Sequence, residues 1–312
     1  MTLRTASVPG RTFSSVAFVF AVLILLGAPS AAWASDADDA SLTVYVVNYP
    51  LQYFAQRIAE NHANVVFPAP AEEDPAFWNP DPEAIEAFQK ADLILLNGAG
   101  YARWVDKASL PRSKVLDTSA AFKEQYIKIE GAVTHSHGAE GKHAHEGVAF
   151  TTWIDFDLAG RQARAIGEAL IRMRPDLEKD LRSNFVLLAK DLKEIDTAIR
   201  QIVSVNPTKP LIGSHPVYDY FSKRYGLTMK SVHWEPDEVP SNAQWAELQS
   251  ILESHPAKWM IWEGEPVQAS VDKLEATGIK SLVFDPCANV PDQGDFLGIM
   301  KQNVENLKKA FP

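Results

Sequence analysis

Residues 175–206 read PDLEKDLRSNFVLLAKDLKEIDTAIRQIVSVN, and their apolar side chains recur in steps of four and three. The repeating positions are Leu177, Leu181, Phe185, Leu188, Leu192, Ile195 and Ile199. This period places them on one face of a single helix, which is predicted over residues 176–204. Pro175 suits the first turn of such a helix, and Asn206-Pro207 ends it.

The length of this helix bears on the organisation of the chain. About 30 residues, at roughly 1.5 Å each, extend about 45 Å. A helix of this length is able to serve as a rigid spine between two halves of the protein. The alternative is an ordinary long helix that packs on one domain, and the period alone leaves both interpretations open.

Short apolar runs alternate with helical segments on both sides of the spine. The predicted strands include Leu42–Val47, Val65–Phe67, Leu93–Leu96, Pro210–Gly213, Trp259–Trp262 and Ser281–Phe284. This alternation is typical of parallel sheets covered by helices. We therefore predict an α/β protein with two Rossmann-like lobes joined by the spine helix. The predicted divisions are an N-terminal lobe over 35–157, a helical linker over 158–207 and a C-terminal lobe over 208–312.

The first 34 residues have the features of a secretory signal peptide. Arg4 and Arg11 precede an apolar run over Val16–Leu26, and Ala32-Trp33-Ala34 offers a cleavage site. We expect export to the periplasm of a monomeric protein that is not embedded in the membrane. The formal net charge of −10 argues against a nucleic-acid partner.

A histidine-rich segment over residues 133–147 reads VTHSHGAEGKHAHEG. It carries four of the eight histidines of the chain, namely His135, His137, His143 and His145. Neutral imidazole is a common ligand of Zn²⁺, so a polar tract of this kind predicts metal capture by a loop. The alternative interpretation is a solvated loop without a metal-binding role.

Further candidate ligands follow predicted strands. His215 and Asp285 each come just after one, and ligand sites of parallel α/β sheets lie beyond the carboxyl ends of strands. Cys287 lies two residues after Asp285 and is either a thiolate ligand or a buried packing residue. His233 and His62 are interpreted as surface or packing residues.

Several short motifs along the chain resemble those of one known family. They are Tyr49-Pro50, Asp74-Pro75 with Asn79-Pro80, Ala91-Asp92-Leu93 through Asn97-Gly98, Thr152-Trp153-Ile154-Asp155, Ser214-His215 through Tyr220-Phe221, Arg224-Tyr225-Gly226-Leu227, Pro240-Ser241, Glu265-Pro266 and Asp285-Pro286. In this order and spacing the chain resembles the metal-binding components of bacterial ABC importers for zinc and manganese. The resemblance implies a metal site in the cleft between the two lobes.

The resemblance also implies four ligand positions, of which two hold no ligand here. His215 and Asp285 occupy two of them, whereas Ala76 and Thr151 stand where histidines are expected. In one interpretation, His143 and His145 replace the missing ligands. In a second, water or the carboxylates Glu73, Asp74 and Glu263 complete a minimal site. In a third, the cleft has lost metal binding and recognises something else.

These observations together predict a solute-binding protein and not an enzyme. We expect it to capture Zn²⁺, with Mn²⁺ or another divalent transition metal as the alternative cargo, and to deliver the ion to an ABC permease. His215, Asp285, His145 and His143 are the main candidate ligands; the further candidates are His137, His135, Glu263 and Cys287. The alternatives are a periplasmic metal buffer or chaperone without a transporter, and a metal-dependent hydrolase built on His215, Asp285 and Glu263.

Overall fold

The computed structural model of the chain describes residues 41–136 and 142–312. Over residues 130–146 it describes only the backbone of those residues, and not their side chains. The predicted signal peptide, residues 1–34, and His137 lie outside the described residues. Among the helices that are described, none combines the length and the apolar character that crossing a membrane requires.

The first part of the chain forms a four-stranded parallel sheet. Its elements in chain order are β1 (Leu42–Val46), α1 (Tyr49–Ala59), β2 (Ala63–Val66), α2 (Pro82–Lys90), β3 (Leu93–Leu96) and β4 (Val115–Asp117). The spatial order of the strands is β2-β1-β3-β4. Strand β1 pairs with both β2 and β3, so the most buried strands lie at the centre of the sheet.

The histidine-rich segment contains two antiparallel strands, β5 (Lys128–Ser136) and β6 (Lys142–Val148). His135 on β5 is paired with His143 on β6, and Val133 is paired with His145. The sequence predicted a loop here, so the paired strands are a difference from that prediction. The β-branched pair Val133-Thr134 favours extended backbone, and this preference outweighs the loop tendency of the nearby glycines.

Two long helices follow and form the predicted spine region. Helix α3 covers Phe156–Met173, and helix α4 covers Glu178–Val203 after a 3₁₀ turn at Pro175–Leu177. The predicted apolar face of α4 is buried, with Leu181, Leu188 and Ile199 at most 2% exposed. The prediction of one long helix is therefore confirmed.

The last part of the chain forms a second four-stranded parallel sheet. Its elements are β7 (Pro210–Gly213), α5 (Asp219–Tyr225), β8 (Thr228–Ser231), α6 (Asn242–Ser254), β9 (Trp259–Trp262), α7 (Gln268–Ala276), β10 (Lys280–Val283) and α8 (Phe296–Ala310). The strand order is β10-β9-β7-β8. Helix α4 contacts α1 and α3 from the first half of the chain, which holds the first sheet, and α8 from the second half, which holds the second sheet. The predicted α/β class with parallel sheets is confirmed.

A buried carboxylate fixes the position of α4. Asp196 accepts hydrogen bonds from Arg224 (3.0 Å), Lys193 (2.8 Å) and Arg200 (3.3 Å), and its side chain is 2% exposed. Burial alone raises the pKa of Asp196, but the hydrogen bonds and positive charges of these partners outweigh burial and lower the pKa to about 2.

We predict that Asp196→Asn lowers the free energy of unfolding by about 2 kcal/mol at neutral pH. Because the pKa of the folded state lies below the ordinary 3.8, the contribution of Asp196 is present above about pH 5 and is lost as the pH falls toward 2. Urea unfolding of both proteins at pH 7 and pH 2.5 measures the difference. The control is Glu194→Gln on the exposed face of α4, where the pair with Lys190 contributes at most about 0.5 kcal/mol. An equal loss at both pH values for Asp196→Asn would contradict the prediction.

Candidate metal centre

A cavity of about 360 Å³ lies between the carboxyl ends of the second sheet and loops of the first half. Seven acidic residues are among the described residues that line it: Glu72, Glu73, Asp74, Glu235, Asp237, Glu263 and Asp285. The same described wall contains no lysine or arginine. A concave site with this balance of charge attracts cations.

Each strand of the second sheet is followed by a polar side chain on the cavity wall. His215 lies two residues after β7, Glu235 four residues after β8, Glu263 directly after β9 and Asp285 two residues after β10. Parallel strands end at the same edge of a sheet, and this edge is the usual ligand site of α/β folds. The sheet itself therefore gathers one imidazole and three carboxylates.

The backbone before His215 is closely packed. Strand β7 ends at Gly213, where a Cβ atom would lie 2.9 Å from the Oγ of Ser231 and 3.1 Å from the carbonyl oxygen of His215. The amide of Ser214 donates to the carbonyl of Ile261 (2.8 Å), which extends the pairing of β7 with β9. These contacts hold the turn that carries His215 into the cavity.

The imidazole of His215 lies between two carboxylates. Its Nε2 is 3.8 Å from Oε1 of Glu235, and its Nδ1 is 3.7 Å from Oε1 of Glu263. The ring is only 4% exposed. The ring of His233 packs edge-on against it, with centroids 5.6 Å apart. His233, which the sequence placed among surface or packing residues, thus lies beside a candidate ligand.

Negative charge accumulates around Glu263. Burial raises its pKa well above the ordinary value, and the charges of Glu235, Asp74 and Asp285 raise it further. Burial also raises the pKa of Asp285, partly offset by a hydrogen bond from the amide of Cys287. A bound cation would relieve this repulsion, so the described part of the site is electrostatically suited to an ion.

Cys287, one of the predicted candidates, is not placed on the cavity wall. Its amide donates to Oδ1 of Asp285 (2.6 Å), and its backbone adopts a left-handed conformation with φ of 58°. The thiol belongs to the main hydrophobic core and is 2% exposed. Burial raises its pKa, which disfavours the thiolate that binds zinc. Of the two interpretations of Cys287, the buried packing residue is the one that agrees with this environment.

The first half contributes a largely aromatic wall. Phe77, Tyr101, Phe150 and Trp153 line the cavity, and Tyr101 packs edge-on against Phe150 and Trp153. Asp74 is the acidic residue of this wall that acts on Glu263. Its Oδ1 accepts a hydrogen bond from the amide of Ala76 (2.9 Å), which shapes the turn.

Ala76 and Thr151, which stand where the family resemblance implies histidines, make other contacts in the structure. Ala76 is 3% exposed and packs in the main core. Thr151 lines the cavity, but its hydroxyl donates to the carbonyl of Val217. His143 and His145, proposed as replacements, lie on β6, and their side chains are outside the described part of the chain.

Further hydrogen bonds connect the first half of the chain to residues 286–289 of the second half. The indole of Trp153 donates to the carbonyl of Pro286 (2.7 Å), and the amide of Tyr49 donates to the carbonyl of Ala288 (3.0 Å). The side-chain amide of Asn289 donates to the carbonyls of Pro70 (2.8 Å), Ala71 (3.3 Å) and Glu73 (3.0 Å). Asn289 thus fastens the loop that carries Asp74 to the second half of the protein.

Comparison with known proteins identifies similar chains over nearly the whole length. The zinc-uptake complex component A periplasmic family (ZnuA) matches residues 44–310. A high-affinity zinc uptake system protein of Bacillus subtilis is 25% identical, covering 95% of this chain and 96% of its own. A manganese ABC transporter substrate-binding lipoprotein of Streptococcus pneumoniae is 26% identical, covering 87% and 81%.

A solved structure supports the fold. The crystal structure of the metal-dependent lipoprotein YcdH of Bacillus subtilis superimposes with a TM-score of 0.73 at 24% identity. It covers 87% of this chain and all of that one. The described architecture is therefore that of this group of solute-binding proteins.

We predict that Asn289→Ala frees the loop over residues 70–74, because three carbonyls lose their donor. The expected results are faster amide hydrogen exchange in that loop and a loss of about 1–3 kcal/mol in the free energy of unfolding. Val290→Ala, at the adjacent exposed position, is the matched control and is expected to change neither. Unchanged exchange over residues 70–74 in Asn289→Ala would show that the clamp does not hold the loop.

Proposed function

We propose, since the chain belongs to the periplasmic zinc-uptake complex component A family, that it captures Zn²⁺ outside the cytoplasm and delivers it to an ABC permease. The family consists of metal-binding solute-binding proteins of ABC transporters and not of enzymes. The sequence analysis likewise predicts a solute-binding protein and not an enzyme. The periplasmic location rests on the predicted signal peptide and on the family.

One observation carries the proposal. His215 lies between Glu235 and Glu263 in a cavity that Asp285 also lines, with no lysine or arginine on its described wall. Imidazole and carboxylate are the donors that zinc and related ions take from proteins. His215 and Asp285 are also the two residues at the ligand positions that the family resemblance implies.

The described residues alone do not contain a finished metal site. Among the side chains that the structure describes, those of residues 41–129 and 147–312, no three from histidine, cysteine or acidic residues are already gathered closely enough to hold an ion. We therefore propose that binding draws the donors together and that His143 or His145 completes the coordination. A segment that folds onto an ion must offset its loss of conformational entropy, about 1–2 kcal/mol per residue.

The choice of zinc follows from the donor types. The histidine-rich segment offers imidazoles, which suit zinc, whereas the carboxylates alone would equally suit manganese. The relatives carry names that specify zinc for one and manganese for another. With loop imidazoles included in the coordination, zinc is the cargo that we propose.

The first test measures Zn²⁺ affinity by competition with a chelator. His215→Ala and Asp285→Asn are each expected to weaken binding by at least about 100-fold, because loss of a direct ligand exceeds the roughly 10–100-fold effect of an outer-shell change. His62→Ala and Asp272→Asn, which change the same residue types away from the cavity, serve as controls. If either test variant keeps the Zn²⁺ affinity of the wild type, the residue replaced in it is not a ligand.

A second test concerns the histidine-rich segment. Replacement of His143 and His145 together by alanine is expected to weaken Zn²⁺ binding at pH 7 by at least about tenfold, since the ion loses an imidazole donor. A comparison variant replaces His135 and His137, the other two histidines of the segment, and shows whether the loss is specific to His143 and His145. Unchanged affinity of the His143/His145 double variant would mean that the segment only collects ions and that the primary site closes without it.

A further inference from the structure

We propose that the cavity receives the ion together with a small organic co-ligand, an amino-acid-type chelator that carries at most one negative charge and an aromatic ring. The chelating head of this co-ligand binds the ion, and its ring lies against the aromatic wall formed by Phe77, Tyr101, Phe150 and Trp153. This inference rests on the proposed function, because it specifies the chemical form in which the same site takes up its cargo.

The cavity is larger than a bare ion requires. Its volume of about 360 Å³ lies within the range of roughly 300–1,000 Å³ that is usual for small-molecule sites. An ion with a complete shell of water, at metal–oxygen distances of about 2.1 Å, occupies roughly 180 Å³. Side chains of the protein replace part of that shell and belong to the cavity wall, so a bound ion fills still less. Space is therefore left for a second group beside the ion.

Hydrogen bonds between the two halves of the chain hold the cavity walls in place. The indole of Trp153 donates to the carbonyl of Pro286 (2.7 Å), and the hydroxyl of Thr151 donates to the carbonyl of Val217. All four residues line the cavity. Walls that close onto a bare ion would have to break or shift these bonds, at a cost for each buried group that loses its partner. A larger cargo fills the cavity without that cost.

The aromatic wall indicates that part of the cargo is apolar. Phe77 packs edge-on against Phe150 with centroids 6.3 Å apart, and Tyr101 packs edge-on against Phe150 (5.3 Å) and Trp153 (5.7 Å). Small-molecule sites combine such surface with a few polar groups that fix the orientation of the ligand. Another aromatic ring gains from contact with these rings, whereas the water around a hydrated ion gains little from them.

Tyr101 provides an independent observation that a polar group of the cargo reaches this wall. Its side chain lines the cavity and is only 6% exposed, and its hydroxyl has no hydrogen-bond partner among the described residues. Burial and the charge of Asp74 raise the pKa of Tyr101 well above the ordinary value, so the hydroxyl stays a donor at neutral pH. A carboxylate of the co-ligand would accept this hydrogen bond and remove the cost of a buried donor without a partner.

The charge of the cavity limits which chelators fit. Seven acidic residues line its described wall, and no lysine or arginine does. Zn²⁺ with a monoanionic chelator keeps a net positive charge, so the complex is attracted to this wall. A chelator with three carboxylates makes the complex negative, so it is repelled. Amino-acid-type chelators therefore suit the cavity, and citrate does not.

The coordination of the ion has room for the chelator. His215 and Asp285 are each proposed to supply a donor, and the histidine-rich segment is proposed to supply an imidazole. The amino nitrogen and one carboxylate oxygen of the chelator then bring the ligands to about five, a number that zinc accepts at open sites. The co-ligand thus takes up positions that Ala76 and Thr151 leave without a donor.

The experiment is equilibrium dialysis of the full chain loaded with Zn²⁺, with labelled L-phenylalanine as the probe. We expect L-phenylalanine to be retained in proportion to the bound zinc and not to be retained by the metal-free chain. L-Alanine, which has the same chelating head without the ring, is the matched control and is expected to bind at least about tenfold more weakly. Citrate is expected not to be retained. Zinc measured in the protein chamber shows whether a chelator has removed the ion.

Two variants test the contact with the wall. Tyr101→Phe keeps the ring but removes the hydroxyl, and it is expected to weaken L-phenylalanine binding about fivefold, with a smaller effect on Zn²⁺ affinity. Tyr45→Phe, the same change away from the cavity, is the control and is expected to bind L-phenylalanine like the wild type. Thermal unfolding checks that both variants are folded.

The outcomes distinguish the inference from the proposed function. If the chain retains no zinc with or without L-phenylalanine, the proposed function fails. If it retains zinc but not L-phenylalanine, or retains L-alanine equally well, the proposed function stands and the inference is wrong. Equal retention of L-phenylalanine by the metal-free chain would indicate an amino-acid site instead of a chelate site. Retention only after His143 and His145 are replaced by alanine would show that the histidine-rich segment fills this space, and would also overturn the inference.

Discussion

The burial of carboxylates away from water is the constraint around which this protein is built. Asp196 on the spine helix meets it with three basic side chains, which hold its pKa at about 2 and anchor the helix. Glu263 is buried beside the acids Glu235, Asp74 and Asp285, and its pKa is raised instead. The first solution stabilises the fold, whereas the second leaves a repulsion among carboxylates that a bound cation would relieve. Perturbed carboxylates of the second kind are typical of functional sites.

The two halves of the chain contribute different kinds of side chain to the site. The second sheet delivers the polar donors because its four strands end together, and the first half supplies Asp74 and an aromatic wall. Hydrogen bonds from Trp153 to Pro286 and from Asn289 to the loop before Asp74 fix one wall relative to the other. The aromatic wall lowers the local dielectric, which strengthens the attraction between an ion and its carboxylate ligands.

Much of this arrangement could be predicted from sequence, and the failures have physical causes. The apolar stripe of α4 and the apolar strands are strong periodic signals, and they place His215 and Asp285 just beyond strand ends. The position of Glu235 on the cavity wall gives no such signal, because β8, Thr228–Ser231, is a polar edge strand that lacks an apolar run. The burial of Cys287 in the core is also hidden from the sequence, because proximity to Asp285 does not reveal the left-handed backbone at Cys287.

The distribution of donors limits how far an ion is able to close the cleft. A ligand shifts a conformational equilibrium only by the difference between its affinities for the two states. His215 and Asp285, which hold the ligand positions that the family resemblance implies, both belong to the second half, so an ion held by them alone would bind similarly whether the halves were open or closed. Coupling then depends on what the first half adds, and Asp74 is the described residue of its wall that acts on Glu263. Because Asn289 ties the Asp74 loop to the second half, this contribution is already fixed in place before an ion arrives.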